Sequence, residues 1–248
     1  MPRFSILTIT LNNENGIEKT WNSIKSQSFS DYEWLVQDGA SSDNTLSILK
    51  NSPAKVKSEP DKGIYDAMNR LIARASGDYL IFLNAGDCLT ATETITLINE
   101  KAIQNPDFIY GDALEELEQE QRYKTARNHK KLTLGMFTHH QAMIYNRKTI
   151  GDLQYNTNYK IAADYDFTAR FLQNANKVEY IPHPLCIFEA GGVSQTQIKI
   201  GRDEQFKIRK DLNLCASYQN HIIKNLQSLN MAFRTIAPNL YWSLKKHA

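Results

Sequence analysis

Patterns typical of strands and of helices alternate along the first hundred residues, and no other feature of the sequence constrains the fold as much. Apolar runs of strand length occupy 4–10, 32–37, 54–60 and 78–83. Between these runs apolar residues recur at helical spacing, most regularly through 64–75. Strands and helices that alternate with short connections predict an α/β domain whose central sheet is mostly parallel and flanked by helices.

Two patterns mark helix ends in this half of the chain. Gly77 follows the helical run that begins near Ile64, at the place where a C-cap glycine belongs. Thr90 and Glu93 form a capping-box pattern, which predicts a helix from there to about Ile103. Both helices would then connect neighbouring strands of the sheet.

Polar loops follow the four predicted strands, at 11–14, 38–43, 59–63 and 84–88. In a doubly wound sheet, ligands bind beyond the carboxyl ends of the strands, so we expect these loops to converge on one crevice. The loops carry Asn12, Glu14, Asp38, Asp43, Lys62 and Asp87. This density of polar groups suits a nucleotide and a cation.

The second half of the chain is less regular. A helix is predicted at 161–175, and it carries acids in its first turn, where the helix dipole favours anions. The other predicted elements are strands at 107–112 and 139–150, an exposed hairpin or loop at 114–121, two short strands with a glycine turn at 177–194, and a polar helix at about 195–212.

Composition and charge exclude several classes of protein. The chain has 248 residues, of which 42% are hydrophobic, and this length fits one α/β domain with additions. A net charge of +2 is too balanced for a dedicated nucleic-acid binder. The three cysteines lie far apart without a CxxC pair, which indicates neither a zinc site nor a disulfide framework. Neither a secretory leader nor a membrane-spanning run is evident, so we expect a cytoplasmic protein.

Two familiar phosphate-binding motifs are missing from the sequence, since no GxGxxG follows the first strand and GxxxxGK[ST] does not occur. Dehydrogenases and P-loop enzymes are therefore not indicated. Four other segments stand in order: SILTITLNN (5–13), SQSFSDYEWLVQDGASSDNT (26–45), SEPDKGIYDAMNRLIARASGDYLIFLNAGD (58–87), and HHQAM (139–143) followed by AADYDF (162–167). Together they resemble the inverting glycosyltransferases of family 2, with the GT-A fold, and especially those that assemble O-antigen and other bacterial surface polysaccharides.

The resemblance implies a reaction and a division of the chain. A GT-A domain over 1–212 would consist of a half that binds the nucleotide sugar (1–105) and a half that binds the acceptor (106–212). A helical extension would follow at 213–248. The implied reaction moves a sugar, with inversion, from a UDP-sugar donor to a saccharide acceptor, and a polyprenyl diphosphate lipid is the carrier expected for that saccharide.

Asp87 is the residue that the resemblance assigns to a metal. In the family, an acidic cluster follows this strand, and its last carboxylate binds Mn²⁺ or Mg²⁺ at the diphosphate. Here Asn84 and Gly86 depart from that acidic cluster. A hard cation can draw other ligands from diphosphate and water, so one carboxylate can suffice while substrate is bound. The alternative is that Asp87 only caps the turn before the next helix.

Asp164 matches the aspartate that serves the family as general base towards the acceptor hydroxyl. Asp166 lies two residues further on a predicted helix and would point to a different face, so only one of the two should reach that hydroxyl. The alternative for Asp164 is an acid placed at a helix N-terminus by the dipole alone.

Donor contacts are implied for the ends of the first strands. Asp38 matches the acid that hydrogen-bonds the nucleobase in members that use uridine donors, and an Asx turn that opens the DGAS loop is its alternative. Thr10 and Asn12 match donor-contacting positions, and Asn84 would add a neutral amide. Lys62 either neutralises the diphosphate or is simply solvated.

Asp112 and His140 are the candidate acceptor-binding residues. Asp112 ends the predicted strand at 107–112, so a structural role in a strand-end turn is the alternative. His139 and His140 precede another predicted strand without metal-type residues nearby, which favours acceptor contact or packing over a metal role.

The C-terminal extension has no acid after Asp211. Basic and aromatic residues are interleaved there: Tyr218, Lys224, Phe233, Arg234, Tyr241, Trp242, Lys245 and Lys246. Such a segment can dock on an anionic membrane surface. A helical pair that packs on the domain or on a second subunit of a homodimer is the alternative.

Two rival functions remain open at this point. A nucleotidyltransferase that activates a sugar phosphate would share the fold, but its glycine-rich N-terminal phosphate loop is missing from the sequence. A non-catalytic module that only binds nucleotide or glycan is supported by the loss of acids at Asn84 and Gly86.

Overall fold

A computed structural model of the chain describes residues 1–117, 120–189, 191 and 197–237, except for the side chains of 234 and 235. The strands are β1 (Phe4–Thr10), β2 (Tyr32–Asp38), β3 (Lys55–Ser58), β4 (Tyr79–Phe82), β5 (Cys88–Leu89), β6 (Phe108–Glu116), β7 (Gln121–Lys124), β8 (Met143–Asn146) and β9 (Val178–Glu189). The α-helices are α1 (Glu14–Lys25), α2 (Thr45–Lys50), α3 (Ile64–Arg74), α4 (Thr94–Ala102), α5 (Arg147–Ile150), α6 (Ala163–Leu172), α7 (Ile198–Asp211) and α8 (Ser217–Ile236). Short 3₁₀ helices cover His129–Leu134 and His140–Ala142.

The first half of the sheet is parallel, in the order β3-β2-β1-β4. Thr10 pairs with Asp38 at the carboxyl ends of β1 and β2, and Asp38 pairs in turn with Ser58 of β3. This half confirms the α/β class, and it brings the polar loops after these strands to one edge of the sheet.

The second half of the sheet is mixed. β8 lies antiparallel between β4 and β6, β9 runs parallel to β6, and β5 and β7 add antiparallel pairs. The predicted strand at 139–150 is correct only for β8, because a 3₁₀ turn precedes it and the Asn146 side chain caps α5 by accepting a hydrogen bond from the Lys148 N–H at 3.0 Å.

β9 is one strand, not the two short strands expected for this segment. Its register with β6 shifts around Asp112, which lies opposite Pro184. Proline cannot donate to a strand ladder, and a bulge absorbs this defect without ending the strand. The glycine turn predicted after it falls largely on residues outside the described ones.

Each face of the sheet is covered by its own apolar cluster, as expected for a sheet flanked by helices. On β1, Leu7 belongs to one cluster and Ile6 to the other, and both side chains are fully buried. On the Ile6 side, the rings of Trp21 from α1 and Trp34 from β2 are stacked, 5.1 Å between centroids and 4° from coplanar.

Gly77 does not cap α3, because the helix already ends at Arg74 with Ala75 as its C-cap. A Cβ atom added at Gly77 would lie 2.6 Å from the backbone nitrogen of Ser5. A side chain at 77 would therefore press on the backbone of β1, and this position is glycine because the two segments approach so closely.

The predicted capping box at Thr90 and Glu93 is wrong. α4 begins only at Thr94, and Glu93 makes no side-chain cap. The Thr94 hydroxyl accepts a hydrogen bond from the Ala91 N–H at 2.9 Å, while Thr90 donates to the carbonyl oxygen of Pro184 at 2.6 Å. The Thr90 hydroxyl thus ties the loop to β9 instead of starting the helix.

The two C-terminal helices pack together through a fully buried arginine. Arg209 of α7 is 0% exposed, and its Nε donates to Oδ1 of Asn220 on α8 at 2.6 Å. The helical character expected for this region is confirmed, while the boundary near Leu212 stays a prediction. Among the described residues, no helix combines the length and the apolar character needed to cross a membrane.

Candidate active site

Side chains and backbone groups tie the loops after the first strands to one another. Asn12, in a left-handed conformation with φ of 48°, accepts a hydrogen bond from the Ser42 N–H at 2.8 Å. The Asn12 N–H donates to the Ser41 hydroxyl at 2.8 Å, and the Asn13 side chain donates to the carbonyl oxygen of Ala85 at 3.1 Å. The expected convergence of these loops on one crevice is therefore present.

Asp38 lies at the centre of this loop cluster and is 0% exposed. Its carboxylate accepts hydrogen bonds from the Ser41 N–H at 3.0 Å, from the Ser41 hydroxyl, and from the Ser58 hydroxyl at 2.6 Å. The Asx-type turn considered as its alternative role is thus present. A carboxylate held this rigidly shapes the loop that would meet a nucleobase, and the nucleobase contact itself stays a prediction.

Two buried oxygen atoms at the strand ends have no hydrogen-bond partner among the described residues. They are Oγ1 of Thr10, a residue only 6% exposed, and Oδ1 of Asn84. A buried polar atom without a partner is costly and is expected to find one when a ligand or water is bound. Lys62 is exposed, so its contact with a diphosphate stays a prediction.

Asp87 is the last residue of the loop that joins β4 to β5, and it is buried, with 5% exposure. Its Oδ2 accepts a hydrogen bond from the Gln141 side chain at 2.7 Å, and its Oδ1 accepts one from the Glu189 N–H at 3.1 Å. Burial, together with the nearby charge of Glu189, raises the pKa of Asp87 to about 7, although both hydrogen bonds oppose this. A cation bound at this carboxylate would compensate its negative charge and so stabilise its ionised form.

A second carboxylate approaches this loop from β9. The Glu189 side chain fills the space that a Cβ atom at Gly86 would occupy, and Gly86 adopts φ of 103°. Lys19 of α1 lies 3.3 Å from the Glu189 carboxylate and 3.5 Å from that of Glu116. The carboxylate of Glu189 thus brings a negative charge close to Gly86. Glu189 belongs to β9, a strand far along the chain from this loop.

The side chains present at this loop fit a divalent cation. Within the described residues, no group of three or more His, Cys, Asp or Glu side chains is arranged to hold a metal ion. However, the Asp87 carboxylate and the unpartnered Oδ1 of Asn84 are hard oxygen donors, which Mn²⁺ and Mg²⁺ prefer. Diphosphate and water can complete such a coordination sphere.

Asp164 stands in the first turn of α6 and is partly buried. Its Oδ1 accepts a hydrogen bond from the Tyr165 N–H at 2.7 Å. Burial, helped by the charge of Glu204, raises the pKa of Asp164 to about 6. A carboxylate with such a pKa is ionised at neutral pH and basic enough to accept a proton from a reacting hydroxyl.

Asp166 is oriented away from that position, as the helix periodicity predicts. Its carboxylate pairs with Arg170 one turn later, and the Arg170 Nε donates to it at 2.9 Å. The guanidinium of Arg170 also donates to the carbonyl oxygen of Gln154 at 2.7 Å. Asp166 therefore anchors α6 to the preceding loop and leaves Asp164 as the candidate base.

Aromatic side chains connect the surroundings of Asp164 with those of Asp87. The Tyr155 hydroxyl lies 2.9 Å from Nε2 of His140, the neighbour of Gln141, and its ring stacks on Phe167 of α6 at 4.3 Å. The aromatic cluster thus joins α6, which carries Asp164, to the HHQAM segment, whose Gln141 holds Asp87.

His140 is buried in this aromatic cluster, with 7% exposure. Burial lowers its pKa to about 3, so the ring is neutral at physiological pH. The neighbouring His139 stacks on Phe188 at 4.4 Å, and its Nε2 lies 2.9 Å from the Glu115 carboxylate. The packing role considered for these histidines is therefore present, and acceptor contact by His140 stays a prediction.

Asp112 is 2% exposed and does not end a strand, because β6 continues to Glu116. Its carboxylate accepts hydrogen bonds from the hydroxyls of Tyr123 at 2.6 Å and Tyr180 at 2.7 Å, and from the Ala126 N–H at 2.7 Å. The expected strand-end position is wrong. Its role as an acceptor contact stays a prediction, which these three hydrogen bonds do not favour.

Sequence reasoning missed three side chains that touch the candidate site, one of which is Glu189 beside Gly86. Gln141, within the HHQAM segment, holds the Asp87 carboxylate. Glu204 of α7 accepts hydrogen bonds from the N–H groups that directly precede α6. Gln141 lies in a segment already singled out, whereas nothing in the spacing of Glu204 from Asp164 points to a contact.

Comparison with known proteins decides the family. The sequence model of the family described as "Glycosyl transferase family 2" matches residues 5–174 of this chain. The chain belongs to glycosyltransferase family 2. The resemblance inferred from the four sequence segments is thereby confirmed, and with it the expectation that the protein is a glycosyltransferase.

Curated members of the family are similar over much of the chain. The PGL/p-HBAD biosynthesis glycosyltransferase of Mycobacterium bovis (strain BCG / Pasteur 1173P2) is 32% identical over 206 residues, which cover 79% of this chain and 80% of that protein. The GalNAc(5)-diNAcBac-PP-undecaprenol beta-1,3-glucosyltransferase of Campylobacter jejuni is 31% identical over 125 residues, or 48% of this chain and 40% of that one.

Solved structures confirm the GT-A fold of this family 2 member. Residues 1–349 of TarS from S. aureus, in complex with UDP-GlcNAc, superpose with a TM-score of 0.71 at 20% identity, covering 94% of this chain and 74% of that one. The mannosyltransferase PcManGT from Pyrobaculum calidifontis, in complex with GDP-Man and Mn²⁺, superposes with a TM-score of 0.64 at 14% identity, covering 99% and 79%.

Proposed function

We propose that this family 2 enzyme is an inverting glycosyltransferase that moves a sugar from a UDP-sugar to a saccharide acceptor, with Asp164 as general base. The observation that carries the proposal is the environment of Asp164, which is held at the start of α6 and has its pKa raised to about 6 by burial. Asp166 is engaged by Arg170, so Asp164 is the acid of this pair that is available to a substrate.

In the proposed step, the acceptor hydroxyl gives its proton to Asp164 while its oxygen attacks the anomeric carbon of the donor sugar. The bond between that carbon and the diphosphate breaks, and the configuration at the carbon inverts. Because the base and the leaving group lie on opposite sides of the sugar, one displacement is sufficient.

A divalent cation, Mn²⁺ or Mg²⁺, belongs to the proposal as the partner of the leaving diphosphate. The residues that would hold it are Asp87 and Asn84, since Asp87 is a buried carboxylate and Oδ1 of Asn84 is buried without a hydrogen-bond partner among the described residues. When bound, the cation supplies positive charge that stabilises the departing diphosphate. The structural neighbour PcManGT in complex with GDP-Man and Mn²⁺ supports this at the level of the fold.

UDP is proposed as the nucleotide because Asp38 matches the position that contacts uracil in relatives of this family. The rigid loop that Asp38 organises through Ser41 and Ser58 supports a specific base pocket. In Asp38→Asn the amide keeps one acceptor oxygen but loses the other, so we expect weaker binding of UDP by calorimetry. Unchanged affinity in the folded variant would remove Asp38 from donor recognition.

The acceptor is proposed to be a saccharide on a polyprenyl diphosphate in bacterial surface polysaccharide or glycolipid synthesis. The names of the two curated relatives support this class, since one acts in PGL/p-HBAD biosynthesis and the other on an undecaprenol-linked saccharide. Such an acceptor would place the enzyme at the cytoplasmic face of the membrane.

The C-terminal helix supports a contact with that membrane surface. One side of α8 exposes large apolar side chains: Tyr218, Ile222, Leu226, Leu229, Phe233 and Ile236. Lys224 pairs with Asp203 at 2.9 Å, so the positive charge for anionic lipid would come from other residues. Lys245, Lys246, Tyr241 and Trp242 lie outside the described residues. A homodimer through α8 is the competing arrangement.

The experiment that tests the function is a screen of UDP- and GDP-linked sugars with Mn²⁺ and an undecaprenyl-diphosphate-linked saccharide. Release of UDP, a product with the inverted anomeric configuration by NMR, and loss of turnover in Asp164→Asn would support the proposal. The matched control is Asp203→Asn, an exposed acid outside the site, which should keep wild-type turnover.

Each rival function predicts a different result in this screen. A nucleotidyltransferase would form a nucleotide sugar from a sugar phosphate and a nucleoside triphosphate. A non-catalytic module would bind nucleotide without turnover of any donor. Retention of configuration would contradict the single displacement.

A further inference from the structure

We propose that Glu204 is a positioning residue for Asp164, which it serves by holding the turn 160–162 that leads into α6. This inference rests on the proposed function, because it takes Asp164 as the base. It assigns a role in the reaction to α7, an element that lies beyond the segment matched by the family description.

The geometry of the Glu204 carboxylate carries the inference. Its Oε1 accepts a hydrogen bond from the Lys160 N–H at 2.7 Å, and its Oε2 accepts one each from the N–H groups of Ile161 at 2.9 Å and Ala162 at 2.8 Å. A single side chain thus satisfies three successive backbone donors directly before the helix that carries Asp164.

The start of α6 needs this outside partner. The N-cap residue is Ala162, which has no side-chain acceptor and makes no cap hydrogen bond. A helix N-terminus leaves N–H groups without intrahelical partners, and a carboxylate is the acceptor that its dipole favours most. Of these groups, Glu204 accepts the hydrogen bond of the N-cap residue Ala162, which lies 42 residues earlier in the chain, and its other two bonds hold the residues just before it.

Two further contacts hold this turn in place, one from the helix of Glu204 and one from α3. Gly201, three residues before Glu204 on the same helix, lies so close to Ile161 that an added Cβ would be 3.0 Å from its Cγ2 atom. The Tyr65 hydroxyl of α3 donates to the carbonyl oxygen of Ile161 at 2.6 Å. The turn is therefore held through its N–H groups by α7 and through a carbonyl group by α3.

Glu204 also sets the electrostatic surroundings of Asp164. Among the described residues, the charge of Asp164 itself acts on three phenols, those of Tyr65, Tyr145 and Tyr155, and burial raises the pKa of each well above its usual range. These groups are neutral at working pH. The negative charge of Glu204 disfavours ionisation of Asp164 and thus raises its pKa.

The test combines two substitutions at Glu204 with a neighbouring control. Glu204→Gln removes the charge and leaves at least one N–H of the turn without an acceptor. Glu204→Asp keeps the charge and shortens the reach by one methylene group. Asp203→Asn changes the adjacent exposed acid, which pairs with Lys224 on α8.

Four measurements separate positioning from a general loss of stability. The carboxyl ¹³C signal of Asp164, identified by its loss in Asp164→Asn, gives its pKa by NMR. Hydrogen exchange reports protection of the amides at 160–162. The kcat for the donor and acceptor pair from the screen, and the UDP affinity by calorimetry, report function.

We expect Glu204→Gln to lower the pKa of Asp164, to speed exchange at 160–162, and to reduce kcat about tenfold or more, with UDP affinity unchanged. Glu204→Asp should reduce kcat and protection but leave the pKa of Asp164 close to wild type. Asp203→Asn should match wild type in all four quantities.

A folded Glu204→Gln protein with wild-type kcat and an unshifted Asp164 titration would overturn the inference. If that variant does not fold, Glu204→Asp decides, because wild-type kcat and protection in it would also overturn the positioning role. Failure of the proposed function looks different, since Asp164→Asn would then retain transfer whatever happens at Glu204.

Discussion

Asp87 and Asp164 are both carboxylates whose pKa burial raises, yet their surroundings suit them to different tasks. Asp87 is held by two hydrogen bonds, from Gln141 and from the Glu189 N–H, and it lies near a second carboxylate. Asp164 accepts one hydrogen bond from its own helix and faces neutral phenols. The first arrangement suits a cation, and the second suits a base that must gain and lose a proton.

The pKa of Asp164 predicts the pH dependence of transfer. The base must be ionised to accept a proton, and its pKa is raised to about 6, so kcat/KM should fall roughly tenfold for each pH unit below that value. A pH profile of the wild-type enzyme measures this limb. A limb near 4, about the ordinary pKa of an aspartic acid, would contradict the environment described for Asp164.

The loop with Asp87 predicts coupled binding of metal and nucleotide. Because diphosphate oxygens supply ligands that the described side chains do not, Mn²⁺ should tighten UDP binding, and UDP should tighten Mn²⁺ binding by the same factor. Asp87→Ala should abolish this coupling, whereas Asn84→Ala should weaken it less, since an amide contributes at most one weak ligand. Calorimetric titration of UDP with and without Mn²⁺ measures the factor. Equal affinities, with full turnover in a chelator, would show that Asp87 holds no metal.

At the scale of elements, the parts predicted well are those specified by neighbours in the sequence. The alternation of strands and helices was enough to locate β1 to β4 and the loop crevice at their carboxyl ends. The parts predicted poorly depend on distant segments. Gly77 is glycine because of the backbone of Ser5, and Thr90 bonds to Pro184 instead of capping α4.

The close contact at Gly77 predicts a stability effect. In Gly77→Ala, the new Cβ would lie 2.6 Å from the Ser5 nitrogen, so β1 or the turn before β4 must shift. We expect a loss of about 1–3 kcal/mol in the free energy of unfolding, the usual cost of overpacking. Denaturant unfolding monitored by circular dichroism measures it, and an unchanged midpoint would mean that the turn adjusts freely.

On the scale of the whole molecule, the candidate site joins elements from both halves of the chain and from the C-terminal helices. The loops proposed to bind the donor follow β1, β2 and β4, while Asp164 lies on α6, next to the turn that α7 holds. The sequence singled out Asp38, Asp87 and Asp164 because each belongs to a recognisable motif, and their roles stay predictions. It did not predict Glu204 or Glu189, since their contacts join elements that are far apart along the chain.

Truncation in α8 should separate folding from membrane association. A chain that ends after Leu214 lacks Asn220 and leaves the buried guanidinium of Arg209 without that acceptor, a loss of about 1.5–3 kcal/mol. A chain that ends after Ser228 keeps this contact but loses the outer part of the exposed apolar side. We expect only the shorter chain to have a lower melting temperature.

Sedimentation with anionic vesicles completes this comparison. Both truncated chains should associate more weakly than the full chain, because each lacks apolar and basic residues of the extension. If the full chain does not bind vesicles but sediments as a dimer, and the chain that ends after Ser228 is a monomer, α8 is a subunit interface.

The stacked tryptophans of α1 and β2 have a spectroscopic consequence. Trp21 and Trp34 are two of the three tryptophans of the chain, and their indole rings lie 5.1 Å apart and nearly parallel. Two chromophores this close couple their electronic transitions, so the ultraviolet circular dichroism of the protein depends on this contact. The wild-type enzyme thus carries an optical label between α1 and β2, and loss of this signal would time the separation of α1 from the sheet without any added dye.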